Sequence, residues 1–218
     1  MSDPNNTDTN SLTFKGELYR KLIHIFSASI PIGYIFLSKE TVLYIIVPIT
    51  VLMLLIEALK YNNDVIYHLY LKVFKQLLRD YEFDRKKIRI NGASWLMIAD
   101  IFCILFFPRL IAVTGMLLLS LGDSISAIVG RLYGKKQFAP NRSYAGTFTF
   151  FLVGIVIVFI TPKYLYSPSE YIITLCAICV TTAVDSLNLP TNDNFAIPVV
   201  ASGLLYVLYL IFLPGILT

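Results

Sequence analysis

The chain has 218 residues, 56% of them hydrophobic and only 15% charged, with a formal net charge of +4 and a mean hydropathy of +0.70. About a quarter of a soluble domain is charged, so this composition excludes the ordinary soluble classes and points to a polytopic membrane protein. Seven crossings of roughly 20 residues use about 140, which leaves no room for a separate soluble domain.

Residues 1–16 are predominantly polar and read as a disordered cytoplasmic tail. No small-x-small cleavage site follows, so the first apolar run is expected to stay in the protein. Runs of crossing length recur at 22–37, 41–59, 92–107, 110–129, 147–160, 171–187 and 195–213. The expected fold is therefore all-α: one membrane-embedded domain over 17–218 with about seven transmembrane helices, the shorter ones half-buried or broken. The connection 61–90 interleaves Val65, Ile66, Leu69, Val73, Leu77 and Leu78 with Lys72, Lys75 and Arg79. That pattern predicts an interfacial helix, apolar toward lipid and basic toward headgroups. Cys103, Cys176 and Cys179 have no zinc-ligand companions and read as buried small hydrophobes.

Of the 18 Lys and Arg residues, only Lys39, Arg109 and Lys163 fall on alternate connections. The other fifteen precede the first run or lie in the second-to-third and fourth-to-fifth connections. This bias predicts a cytoplasmic N-terminus and, with seven crossings, an external C-terminus. The connection 188–194 then also faces the cytoplasm, together with every candidate catalytic loop.

Carboxylates inside apolar runs are the strongest functional signal. Asp123 and Asp185 each stand at membrane depth, where an ionised group is costly without a cation, cavity or partner. Two such groups beside Arg and Lys clusters point to metal binding or phosphate handling. Arg20, Lys21 and His24 share a helical face at the start of the first run, with Glu17 one turn before Lys21. Gly122, Asp123 and Ser124 lead into a small-residue stripe of Ser126, Ala127, Gly130 and Gly134. Arg131, Lys135, Lys136 and Arg142 follow, with Ser143 and Gly146, a run of positive charge and flexible backbone suited to polyphosphate. It is not a P-loop, and no strand is expected there. Asp185, Asn188, Asn192, Asp193 and Asn194 end the series. Asp123, Asp185 and Asp193 at one mouth would supply the hard oxygens that Mg²⁺ takes when it also binds substrate phosphates.

Together these segments resemble the CTP-dependent integral-membrane lipid kinases: dolichol kinase, yeast-type diacylglycerol kinase, phytol kinase and small prokaryotic relatives. The family's opening Glu-x-x-Arg-Lys-x-x-His is intact at Glu17, Arg20, Lys21 and His24. Its Gly-Asp…Gly-Arg-x-x-Gly pattern is met by Gly122, Asp123, Gly130, Arg131 and Gly134, with Ser126 where Ala is usual. Arg142, Ser143, Gly146 and Thr147 answer to Lys-Ser-x-Glu-Gly-Ser, with Ala145 in place of Glu. Asp193, Asn194, Ile197 and Pro198 complete the closing Asp-Asn-x-x-Ile-Pro. Asp185 stands where the family usually has Glu, and Lys60, after Glu57, where Arg is common.

The resemblance implies transfer of the γ-phosphoryl of CTP to a lipid alcohol such as diacylglycerol, a polyprenol or phytol. Catalysis would rest on Asp123, His24, Lys21, Arg20 and Asp193. CTP would be bound by Gly122, Ser124, Gly130, Arg131, Gly134, Lys135, Lys136, Arg142, Ser143, Gly146 and Asn194. Mg²⁺ would sit on Asp123, Asp185 and Asp193; with Ala145 in place of Glu, either the chain belongs to a divergent branch with another alcohol substrate or Asp100 or Glu57 completes the site. The partners implied are the bilayer, the lipid alcohol and the nucleotide, without nucleic acid. A prokaryotic plasma membrane is favoured over a eukaryotic organelle. A CDP-alcohol phosphotransferase is excluded because Phe138 and Arg142 follow Gly134 where carboxylates are required. A phosphatidate cytidylyltransferase and a small transporter are the alternatives.

Overall fold

The computed structural model describes residues 14–75, 90–139, 142–187 and 192–217. The chain starts with α1 (Phe14–Ser27) and α2 (Ser29–Phe36), then α3 (Lys39–Asn62) and α4 (Asp64–Phe74). After α5 (Gly92–Phe106) comes α6 (Arg109–Leu117), which runs through a π-helical turn (Leu118–Asp123) into α7 (Ser124–Tyr133). A short hairpin, β1 (Gln137–Ala139) and β2 (Arg142–Ser143), precedes α8 (Tyr144–Ile160), α9 (Pro168–Ser186) and α10 (Asp193–Phe212). The architecture is all-α and multi-pass. Among the described residues four helices are long and apolar enough to cross a membrane: Lys39–Asn62, Arg109–Tyr133, Pro168–Ser186 and Asp193–Phe212. Gly92–Phe106 and Tyr144–Ile160 are shorter apolar helices. The 1–13 portion of the expected tail and the 76–89 part of the expected interfacial segment, Leu77, Leu78 and Arg79 included, lie outside the described residues, as does Asn188.

Local sequence accounts for most boundaries. Ser38, Asn91, Ser143, Ser167 and Asn192 each accept a backbone N–H at the start of a helix, which satisfies donors that the helix itself cannot. Pro31 lies in the first turn of α2. In an unbroken helix its ring would clash with the carbonyl four residues back, so the expected first run becomes two helices that meet at Ala28. α1 also starts upstream of the apolar run, because its polar side chains find partners inside the protein.

The hydrophobic core is built around Arg109–Tyr133, which is mostly buried, whereas Lys39–Asn62 is mostly exposed. Ala112, Val113, Met116 and Leu119 are fully enclosed, packed with Cys103, Phe150, Ile157, Ile178 and Ala201. Two expectations are corrected. The hairpin forms where no strand is expected: Gly134 ends α7 with its N–H on the Gly130 carbonyl, and strand pairing then satisfies backbone groups on the way to α8. Cys176 and Cys179 are exposed, and only Cys103 is buried; a lipid-facing thiol and a buried one have the same hydropathy, so sequence cannot separate them.

The end formed by the starts of α3, α6 and α9 holds the minority cations. Lys39 donates to the Leu105 carbonyl, Arg109 lies over the Tyr34 ring, and Lys163 donates to Thr161. Glu170 organises this end. Its carboxylate accepts from the backbone N–H of Tyr164 at 2.7 Å, of Leu165 and Tyr166 at 2.9 Å, and from the Tyr209 hydroxyl at 2.7 Å. The three successive amides curl around it, with Tyr166 held at φ 53°. Glu170→Ala strands these donors, and a loss of about 3 kcal/mol is expected. Thermal unfolding of detergent-solubilised protein checks this, with the turnover of the remaining folded fraction unchanged because the candidate site lies at the other end.

Candidate functional site

The opposite end gathers the sequence candidates. On α1, residues spaced by three share a face, so Lys21, His24 and Ser27 all lie toward the π turn. Lys21 is 3% exposed and forms a buried ion pair through Nζ with Asp123 Oδ2. Six residues further along α1, Ser27 Oγ lies 3.0 Å from Ser120 Oγ. His24 stands on α1 between these two contacts, 1% exposed, with neither Nδ1 nor Nε2 hydrogen-bonded. Arg20 pairs with Glu17 and reaches the start of α5: a Cβ on Gly92 would sit 3.8 Å from its Nη1.

A second ion cluster joins three segments. Arg142, on β2, donates through Nη1 to Asp185 Oδ1 at 2.8 Å and through Nη2 to Asp193 Oδ2 at 2.9 Å. It thereby ties the start of α8 to the end of α9 and the start of α10. Burial works against its charge, but Asp185 and then Asp193 outweigh that and raise its pKa above the ordinary arginine value. The charge of Asp123 acts on both Arg142 and Asp185, so the two ion clusters are electrostatic neighbours. Among the described residues no three His, Cys, Asp or Glu side chains form a ready-made metal cluster. A Mg²⁺ ion completed by substrate phosphates needs only one or two carboxylates. Asp123 suits it, since the bond to Lys21 uses only Oδ2.

Three helix starts meet beside these clusters. Asn194 Nδ2 donates to the Gly92 carbonyl at 2.7 Å, which joins the start of α10 to that of α5. Ser143 Oγ accepts the Gly146 N–H at 3.1 Å to cap α8. The partial positive charge of helix starts favours anions, and here it adds to Arg20, Lys21 and Arg142.

The other candidates are distributed as follows. Arg131, Lys135 and Lys136 are exposed around the end of α7. Ser124 is buried and its Oγ has no hydrogen-bond partner, and Gly122 faces the Phe150 ring. Gly130, Gly134 and Gly146 let α7 and α8 approach: a Cβ on Gly134 would sit 2.0 Å from the Gly130 carbonyl oxygen and 2.4 Å from Ser143 Oγ. Gly134→Ala is expected to cost about 1–3 kcal/mol and to displace the hairpin that carries Arg142. A lowered unfolding temperature with reduced turnover is the outcome to measure.

Glu57 is committed elsewhere, accepting from Ser94 Oγ at 2.9 Å and from the Asn91 backbone N–H. Asp100 is fully enclosed in α5, with neither carboxylate oxygen hydrogen-bonded. The π turn was not legible in the residues, although π turns are often found at functional sites. Nor was the Glu57–Asn91–Ser94 network, which joins residues 34 and 37 positions apart.

No protein-family profile matches the chain, and no solved structure does. An uncharacterized protein of Rickettsia prowazekii is 28% identical over 187 residues, 85% of this chain and 91% of that protein. CTP-dependent diacylglycerol kinase 1 of Saccharomyces cerevisiae is 26% identical over 214 residues, 86% of this chain and 72% of the yeast protein. CTP-dependent diacylglycerol kinase 1 of Schizosaccharomyces pombe is 31% identical over 167 residues, 70% of this chain and 74% of that protein.

Proposed function

The chain belongs to the family of the CTP-dependent diacylglycerol kinases, and from that premise we propose that it transfers the γ-phosphoryl group of CTP to the hydroxyl of a membrane lipid alcohol. The observation that supports this best is the meeting of the buried Lys21–Asp123 pair, the Arg142 fork and three helix starts at one end. Phosphoryl transfer asks mainly for positioning and charge neutralisation, and that end supplies both. Arg20, Lys21 and Arg142, helped by Arg131, Lys135 and Lys136, hold the phosphates. Asp123, with Asp185 or Asp193, would hold Mg²⁺, which when bound supplies further neutralisation of the triphosphate.

The acceptor oxygen forms a bond to the γ-phosphorus as the bond to the bridging oxygen breaks, and CDP leaves. His24, buried and without a hydrogen-bond partner on either nitrogen, accepts the hydroxyl proton. The lipid keeps its chains in the bilayer and presents only its hydroxyl. Diacylglycerol is the first acceptor to try, because the yeast relatives are named for it. Seven crossings, a cytoplasmic N-terminus and a cytoplasmic site in a prokaryotic plasma membrane complete the proposal, supported by the charge bias of the connections.

The experiment is incubation of purified protein with γ-labelled CTP or ATP and a panel of diacylglycerol, polyprenol and phytol. Label in one lipid, with CDP formed from CTP, is expected. Pyrophosphate release with a cytidylyl lipid would instead identify a cytidylyltransferase. Folded protein that labels no lipid from either nucleotide would overturn the proposal.

A further inference from the structure

The 11 described residues of α4 span about 16 Å, short of the roughly 30 Å of a hydrocarbon core. The helix nevertheless presents Val65, Leu69 and Val73, exposed at 77%, 61% and 61%. Spacing of four residues puts these side chains in one stripe along the helix. His68, Lys72 and Lys75, all exposed, run along one edge of that stripe, with Asp64 at its N-terminal end, so the edge is basic along its C-terminal half. The basic edge and the apolar stripe are complementary to one kind of surface: anionic headgroups above acyl chains.

The inner side of α4 is fixed to the protein. Tyr70 is 5% exposed, and its hydroxyl accepts from Asn91 Nδ2 at 3.1 Å. Lys60 Nζ lies 4.2 Å from the centroid of its ring. Asn91 caps α5 through the Ser94 N–H, and the next residue, Gly92, accepts from Asn194 and borders Arg20. A continuous set of contacts therefore runs from α4 to the candidate site.

We propose that α4 lies in the bilayer surface, with Val65, Leu69 and Val73 among the upper acyl chains and His68, Lys72 and Lys75 on anionic phospholipid headgroups, and that Tyr70 thereby positions the start of α5. The proposal does not rest on the kinase reading, and its test needs no turnover.

Trp95 is the sole tryptophan, and its ring packs edge-on against Phe195, so Trp95→Phe removes the native signal with little change in packing. In that background Leu69→Trp places a reporter on the stripe, and Val65→Trp provides a second should the first fail to fold. The full chain is reconstituted into phosphatidylcholine vesicles containing brominated phosphatidylcholine or, at the same fraction, brominated phosphatidylglycerol. Both lipids should quench the reporter, the anionic one by about two-fold or more over the neutral one. Adding Lys72→Gln and Lys75→Gln should abolish that difference while quenching by the neutral lipid persists. A reporter quenched by aqueous acrylamide and not by either lipid would overturn the proposal, and would fit a water-exposed helix or a protein partner. Equal quenching by the two lipids would overturn the anionic-headgroup assignment.

Discussion

Asp123→Asn protein is expected to insert and fold yet lose phosphoryl transfer by about a thousand-fold or more, the scale of removing a charge-stabilising group from an active site. The substitution keeps the size of the side chain but removes the negative charge that a hard divalent cation and its phosphates require. Asp123 also neutralises Lys21 in a buried pair, so the single change strands a cation and some instability is expected as well. A second variant separates the two effects. Lys21→Met combined with Asp123→Asn removes both charges and should recover the unfolding temperature, because a buried pair replaced by uncharged groups often costs little. Activity should stay lost. Recovery of turnover along with stability in the double variant would mean that Asp123 only balances Lys21. Near-wild-type turnover of the single variant at saturating CTP and Mg²⁺ would remove it from the catalytic list.

Arg142→Met is expected to lower stability by about 3–5 kcal/mol, the cost of leaving buried charge without its partner. Asp185, whose side chain is 5% exposed, carries most of that cost; Asp193, 48% exposed, is screened by solvent and carries little. Arg142→Lys should rescue only in part, since an ammonium cannot reproduce a planar fork that reaches two carboxylates at once. If Arg142 also holds phosphate, the KM for CTP should rise by about ten-fold or more in the Lys variant. Thermal unfolding and CTP saturation curves measure the two effects separately. A Lys variant with unchanged KM but lowered stability would confine Arg142 to tying α8, α9 and α10 together.

The residues by themselves determined the class of fold and which polar groups stand out within its apolar runs. Long apolar runs with few charges have few solutions other than membrane helices, because backbone polar groups must be satisfied internally in lipid. Carboxylates and an imidazole inside such runs are too costly to be incidental, which is why Asp123, Asp185 and His24 were legible without coordinates. Helix ends were also local, set by Ser38, Asn91, Ser143, Ser167 and Asn192 as caps. Only the tertiary structure decided who pairs with whom. Lys21 meets Asp123 across 102 positions, and Gly92 meets Asn194 across the same separation. No local propensity encodes such pairs, since they follow from how whole helices pack. For the same reason the sequence cast Arg142 as a phosphate ligand, while packing gives it two carboxylates already. Gly130 and Gly134 read as a small-residue stripe open to a helix or a ligand, and packing sets them against the start of α8; Gly146, read as flexible backbone near phosphate, lies at the same close crossing. The π turn at Leu118–Asp123 has no mark in hydropathy, which registers how apolar a residue is and not the one extra residue in a turn that sets which way Asp123 faces.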